Sequence, residues 1–218
     1  MNMSETFYIQ GAAGKLECVL NLPDENQFPQ PIGIALVAHP HPLRGGGGTM
    51  HHKIVHILMR SFVSLGFATA RMNFRGVGGS EGVHDEGRGE TDDMALLVEE
   101  MERRFPGLPL EALGGFSFGT FVMAELQRRL TAQGNPAKRM ALVGAAAGPW
   151  AVGDVPANTI LIHGEQDDVI LLSDVFDWAR PQNLPVIVVP GAGHFLHGKM
   201  PLIKEYVMAL WRMEPSGS

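Results

Sequence analysis

The chain is poor in several of the features that mark protein classes. Of its 218 residues only Cys18 is a cysteine, so no disulfide can close within the chain, and a reducing compartment is the natural setting. Cys18 sits in the alternating run Leu16–Leu20, which reads as a core thiol rather than a reactive one. Basic charge is also short: 17 Lys and Arg face 23 Asp and Glu, a net charge of −6. That balance argues against non-specific nucleic-acid binding and supplies no basic patch for an anionic membrane. No apolar stretch approaches the length of a membrane span, and the first residues have neither a basic start nor an apolar leader core. The expectation is a cytoplasmic protein without membrane or nucleic-acid partners. No internal repeat or second domain is visible; residues 1–213 read as a single domain and 214–218 as a flexible tail.

Cofactor and metal signatures are missing too. Gly45–Gly48 are followed by Thr49-Met50 and not by the G-K-[ST] that ends a phosphate loop; Gly76-Val77-Gly78-Gly79-Ser80 does not spell a dinucleotide fingerprint. His52 and His56 stand four apart without the neighbouring carboxylate of a zinc helix, and His39, His41 and His51 have poor spacing for a ligand set. The expectation is no cofactor and no metal, with these histidines fixing loops by hydrogen bonds or exposed on a helix.

What is present is chemistry for nucleophilic attack. Gly115-Phe116-Ser117-Phe118-Gly119 spells G-x-S-x-G between an apolar run, Leu110–Leu113, and a helix-like run, Thr120–Gln127. A serine at a sharp strand-to-helix turn projects its hydroxyl from the sheet edge, and flanking glycines let neighbouring segments approach closely. The helix start places backbone N–H groups where an oxyanion would form. Such a serine needs a base and an orienting acid, which follow in the order carboxylate, then histidine. Downstream, an apolar run ending at His163-Gly164 leads into a loop with Asp167 and Asp168; another, Pro185–Val189, leads through Pro190-Gly191-Ala192-Gly193 to His194. All three segments lie just past the C-terminal ends of expected strands, the edge where open parallel sheets bind ligands. Either aspartate could orient His194 on this reading.

The motifs taken together resemble the α/β-hydrolase superfamily, and within it a compact, lidless bacterial branch of serine hydrolases, esterase-like or dienelactone-hydrolase-like. The matching stretches are His39–Gly46, Arg71–Gly82, Asp85–Glu90, the Ser117 elbow and Gly193–Gly198, spread over residues 30 to 200; the run of glycines after Arg44 departs from the pattern. The resemblance implies the fold and an esterase-like activity, but no particular substrate. It also selects Asp167 over Asp168, because Asp167 stands at the family's usual offset after Gly164, and it implies that Arg75–Ser80 forms a turn beside the site. Arg75, Asp85 and Glu90 are expected to stabilise loops rather than touch substrate.

The coarse architecture agrees. Residues 5–10 and 15–22 alternate in polarity around Gly11-Ala12-Ala13-Gly14, a hairpin pattern. Strands are expected at 32–38, 67–73, 110–113, 140–145, 159–163 and 185–189, with helices at 50–65, 89–104, after Ser117, at 173–180 and at 200–212. The fold class is α/β: a mostly parallel, doubly wound sheet with an N-terminal antiparallel hairpin. The connection from Ala146 to Asn158 is too short for a helical cap, so the site should be open.

An oxyanion hole needs two N–H donors. One is expected from Phe118; the other from the 39–48 loop, where Pro40 and Pro42 cannot donate and His41 or Leu43 can, Leu43 being preferred. Leu43, Phe118, Trp150, Val169, Ile170 and Phe195 are the apolar side chains expected near the catalytic loops, with Trp150, Val169, Ile170 and Phe195 binding substrate. Long chains would gain little of the ~0.8 kcal/mol per buried CH₂ without a cap. The expected function is hydrolysis of small soluble short-chain esters through Ser117, His194 and Asp167, by a monomer or homodimer. A lactone hydrolase, a thioesterase, a peptidase and a non-catalytic binding protein of the same fold are the alternatives.

Overall fold

A computed structural model describes residues 4–43 and 47–213. The expected tail at 214–218, and Arg44, Gly45 and Gly46 of the glycine-rich loop, lie outside the described residues. An 8-stranded sheet runs in the order β1-β2-β4-β3-β5-β6-β7-β8. β1 (Ser4–Gly11) and β2 (Gly14–Asn21) form the expected hairpin, and β2 continues antiparallel onto β4 (Phe67–Met72). From β4 onward every pairing is parallel, through β3 (Gly33–Ala38), β5 (Leu110–Phe116), β6 (Arg139–Val143), β7 (Ile160–Gly164) and β8 (Val186–Val189).

The period of two along the central strands divides the core into two layers. In β3, Ile34, Leu36 and Ala38 face one apolar cluster while Ala35 and Val37 face the other. Helices α2 (Arg88–Arg104), α3 (Phe118–Ala132) and α4 (Leu172–Ala179) cover the first face with Leu97, Met101, Leu126, Leu130 and Val175. Helices α1 (Lys53–Ser64) and α5 (Met200–Arg212) cover the second with Ile54, Leu58, Phe62, Ile203 and Val207. Burial on both faces explains why β3 reads as an uninterrupted apolar run. Among the described residues no helix is long and apolar enough to cross a membrane.

The parallel register brings the ends of β3, β5, β6, β7 and β8 to one edge: Ala38 lies opposite Gly115, Phe116 opposite Val143, Val143 opposite Ile162 and Gly164 opposite Val189. The connection from β6 to β7 contains no helix and only an isolated bridge, Ala147 to Trp150, so among the described residues no helical cap covers that edge. Two elements are bounded differently from expectation. α1 begins at Lys53, because His52 caps it, and β5 runs to Phe116, carrying Gly114 and Gly115 inside the strand.

Candidate active site

Ser117 follows β5 directly, in the left-handed half of backbone space at φ 52° and ψ −126°. A non-glycine residue there stores ~1–3 kcal/mol of strain and persists only where surroundings over-determine it. Here they do. The Ser117 N–H donates to the Val143 carbonyl (3.0 Å), and its carbonyl accepts from the Thr120 N–H (2.8 Å) and hydroxyl (2.6 Å). The same Thr120 oxygen accepts from the Ala146 N–H at 2.9 Å, which ties the elbow to the loop after β6. Both motif glycines are there for close backbone approach. A Cβ on Gly119 would stand 2.6 Å from the Ala38 carbonyl oxygen, and one on Gly115 2.7 Å from that of Gly119.

The three segments expected to converge do so. Nε2 of His194 lies 3.0 Å from Ser117 Oγ, and Nδ1 of His194 lies 2.7 Å from Asp167 Oδ2. The carboxylate can only accept from Nδ1–H, so Nε2 is left to accept from the serine hydroxyl. The other carboxylate oxygen accepts from the N–H groups of Val169 (2.9 Å) and Ile170 (2.8 Å), which fixes Asp167 from behind. Burial alone would raise the Asp167 pKa, but the hydrogen bonds from His194 and Ile170 and the nearby histidines outweigh it and hold it below the ordinary value. Asp168 is exposed. Sequence reasoning did not single out His163, which is fully buried beneath Asp167. Its Nε2–H donates to the Ile170 carbonyl (3.0 Å) and lies 3.4 Å from Asp167 Oδ2. Burial is the main cause of its lowered pKa, so it sits there as a neutral ring. A histidine ending an otherwise apolar strand was the available signal.

The loop after β3 is braced from below. His39 donates from Nδ1 to the Pro40 carbonyl (2.6 Å) and accepts the Phe74 N–H on Nε2 (2.9 Å); burial drives its pKa down to about 3. The loop closes where the Gly48 N–H donates to the His41 carbonyl, 2.9 Å. The expected second oxyanion donor needs correcting. Leu43 is 78% exposed, it does not line the pocket beside Ser117, and its N–H donates to Nδ1 of His41 at 3.1 Å. Its N–H is thus spent inside the loop, whereas His41 does line the pocket.

That pocket has a volume of about 130 Å³, well under the 300–1,000 Å³ of drug-sized sites. Of the side chains expected to bind substrate, Trp150, Val169 and Phe195 line it together with Ser117 and His194. Ile170 does not: its side chain is 1% exposed and joins the core, while its N–H and carbonyl hold Asp167 and His163. The Phe118 ring also lies in the core, packed 5.1 Å from His41 and 5.4 Å from Trp150. Among the described residues Pro40, His41, Gly47, Gly48, His52 and Pro149 also line it and were missed as pocket residues. Trp178 donates from Nε1 to the Val152 carbonyl (3.0 Å), which anchors the loop carrying Trp150.

The turn after β4 is held by ion pairs. Arg75 makes a bidentate contact with Asp93, 2.8 Å on both arms, and donates to the Gly89 carbonyl. Glu90, fully buried, accepts the N–H groups of Asp85 and Gly87, and Asp85 accepts that of Gly89. Among the described residues one group brings three metal-ligand atoms within 4.8 Å of one another: His41, His84 and Glu86. His41 already accepts the Leu43 N–H and the Glu86 side chain is 67% exposed, so the set is loosely held.

No protein-family model matches the chain. Its structure is similar to that of an α/β serine hydrolase without lid from Xanthomonas campestris, with a TM-score of 0.85, 30% identity and 97% of each chain covered. It is also similar to an α/β serine hydrolase homologue from Coxiella burnetii, with a TM-score of 0.78, 30% identity, and 94% of this chain and 96% of that one covered. By sequence, 96 residues are 40% identical to an uncharacterized protein of Rickettsia prowazekii; the match covers 44% of this chain and 40% of that protein's length.

Proposed function

The chain belongs to the α/β serine hydrolases without a lid, and from that premise we propose that it hydrolyses small, short-chain carboxylic esters through an acyl-enzyme on Ser117. The observation that carries this reading is the unbroken chain of contacts from Ser117 Oγ through His194 to Asp167, 3.0 and 2.7 Å, opening on a small apolar pocket. Ser117 Oγ attacks the ester carbonyl while His194 Nε2 takes its proton, and Asp167 stabilises the resulting imidazolium. The tetrahedral oxyanion is held by the backbone N–H of Phe118, at the open first turn of α3, and by that of His41. The proton on Nε2 then passes to the departing alcohol as the C–O bond breaks. A water, deprotonated by the same nitrogen, attacks the acyl-Ser117 carbonyl and releases the acid.

The pocket's size supports a short acyl group. Its volume of about 130 Å³ lies below the ~300–1,000 Å³ range of drug-sized sites. Methylenes beyond it would remain in water and gain little of the ~0.8 kcal/mol that burial brings each one. The test is a series of p-nitrophenyl esters from acetate to palmitate. Turnover should peak at short chains and vanish in Ser117→Ala; rates that keep rising beyond about C8 would contradict the small-pocket reading.

A further inference from the structure

Among the side chains that line the pocket, His52 carries a polar group that the hydrolytic chain does not use. It stands directly before α1 and caps it: the Ile54 N–H donates to Nδ1 at 3.3 Å. A nitrogen that accepts an N–H carries no proton, so the neutral ring must carry its proton on Nε2. No other protein group among the described residues accepts a hydrogen bond from that Nε2. The ring cannot readily turn to present a different edge. It is stacked on Phe116, with centroids 4.9 Å apart and 22° between planes, and lies 5.9 Å from the Phe195 ring. Burial, helped by His194, His197 and Lys53, lowers its pKa to about 4, which makes it a neutral donor at ordinary pH and not a cation.

We propose that Nε2–H of His52 recognises the substrate, and that the preferred esters carry an uncharged acceptor oxygen (ether, hydroxyl or keto) in a short chain, in place of a plain alkyl group. The inference rests on the ester-hydrolase reading of the same pocket. A plain alkyl chain that fills this space strips water from the donor and gives nothing back, whereas an oxygen at that place satisfies it. A carboxylate is not favoured, because the ring offers one neutral N–H and no charge.

The test uses two matched ester pairs that differ by one CH₂-to-O exchange: p-nitrophenyl methoxyacetate against p-nitrophenyl butyrate, and 2-methoxyethyl acetate against butyl acetate. Each kcat/KM is divided by the ester's rate with hydroxide, to remove intrinsic reactivity. The full chain is compared with His52→Phe, which keeps the stacked ring and loses the donor, and with His52→Asn, which keeps a helix cap but is too short to reach the same place. The parent should prefer the oxygen ester in at least one pair by roughly 3- to 10-fold, and both variants should lose that preference. Because each ratio is taken within one enzyme, a loss of active protein cancels. Turnover without an oxygen preference in either pair, or a preference that survives both substitutions, overturns the inference and leaves the ester-hydrolase reading standing. Failure of the parent on all four esters overturns both.

Discussion

Replacing Asp167 with asparagine exchanges one carboxylate oxygen for an NH₂ group, and the surroundings dictate how the amide must sit. Oδ1 of Asp167 accepts two fixed backbone donors, the Val169 and Ile170 N–H groups at 2.9 and 2.8 Å. An asparagine NH₂ cannot face them, so its carbonyl oxygen takes that place and its NH₂ turns to His194 Nδ1, where the carboxylate accepted at 2.7 Å. Nδ1 must then accept, the ring proton moves to Nε2, and Nε2 points a hydrogen at Ser117 Oγ when it should be taking one. The substitution keeps both backbone hydrogen bonds, so the unfolding midpoint should move little while kcat falls about 10⁴-fold. That factor is about 5.4 kcal/mol in the activation barrier. Asp167→Ala should behave differently, with the buried Ile170 N–H left unpaired at ~1–3 kcal/mol. The assay is kcat on p-nitrophenyl acetate beside a thermal melt, with Asp168→Asn as the control, expected within about two-fold because Asp168 is exposed. An Asp167→Asn enzyme that keeps more than about a tenth of kcat would refute the tautomer argument.

Three further outcomes are expected. Gly119→Ala should cost ~1–3 kcal/mol in urea unfolding and also slow acetate hydrolysis, since its Cβ meets the Ala38 and His39 carbonyl oxygens at 2.6 and 2.7 Å; parent-like stability and rate would show the approach to be slack. Arg75→Met strips the partner from Asp93, whose side chain is 1% exposed, and should destabilise by ~3–5 kcal/mol. Adding Asp93→Leu should recover much of the loss, which a urea titration of the double variant checks. His39, with a folded pKa of about 3 against ~6.5 unfolded, stays neutral in the fold. Between those values the unfolded chain binds a proton that the folded chain does not. Its contribution is therefore complete above the unfolded value and is lost as pH falls, by up to ~1.4 kcal/mol per unit. Unfolding free energies from pH 6 to 4.5 should fall more steeply for the parent than for His39→Gln, and equal slopes would count against a neutral buried His39.

Much of this was legible in the chain. The apolar run of β3, the glycines around Ser117 and the placement of Asp167 and His194 after apolar strands all rest on local physics: burial on both faces, backbone contact without Cβ, and the common edge of parallel strands. Choosing between Asp167 and Asp168 was less secure, because the two are chemically identical and differ only in which one the Val169 and Ile170 N–H groups hold. Loop detail was not legible. The Leu43 N–H is diverted to His41 by a turn whose shape depends on tertiary contacts, and Ile170, read as a pocket wall, buries itself in the core. Thr120 and His163 act through hydrogen bonds that periodicity and spacing do not reveal; the one signal was a histidine in an otherwise apolar strand. The attachment of the hairpin through β2 to β4 was likewise hidden, since alternation marks a strand without naming its partner.

The central claim is that Ser117 is an activated nucleophile. Treatment of the intact protein with a fluorophosphonate, followed by intact-mass measurement and peptide mapping, tests it without knowledge of the substrate. One phosphonyl group should appear on Ser117, should be absent from Ser117→Ala, and should form orders of magnitude more slowly in His194→Ala. An unmodified parent, or a label mapped to any other residue, would contradict the claim.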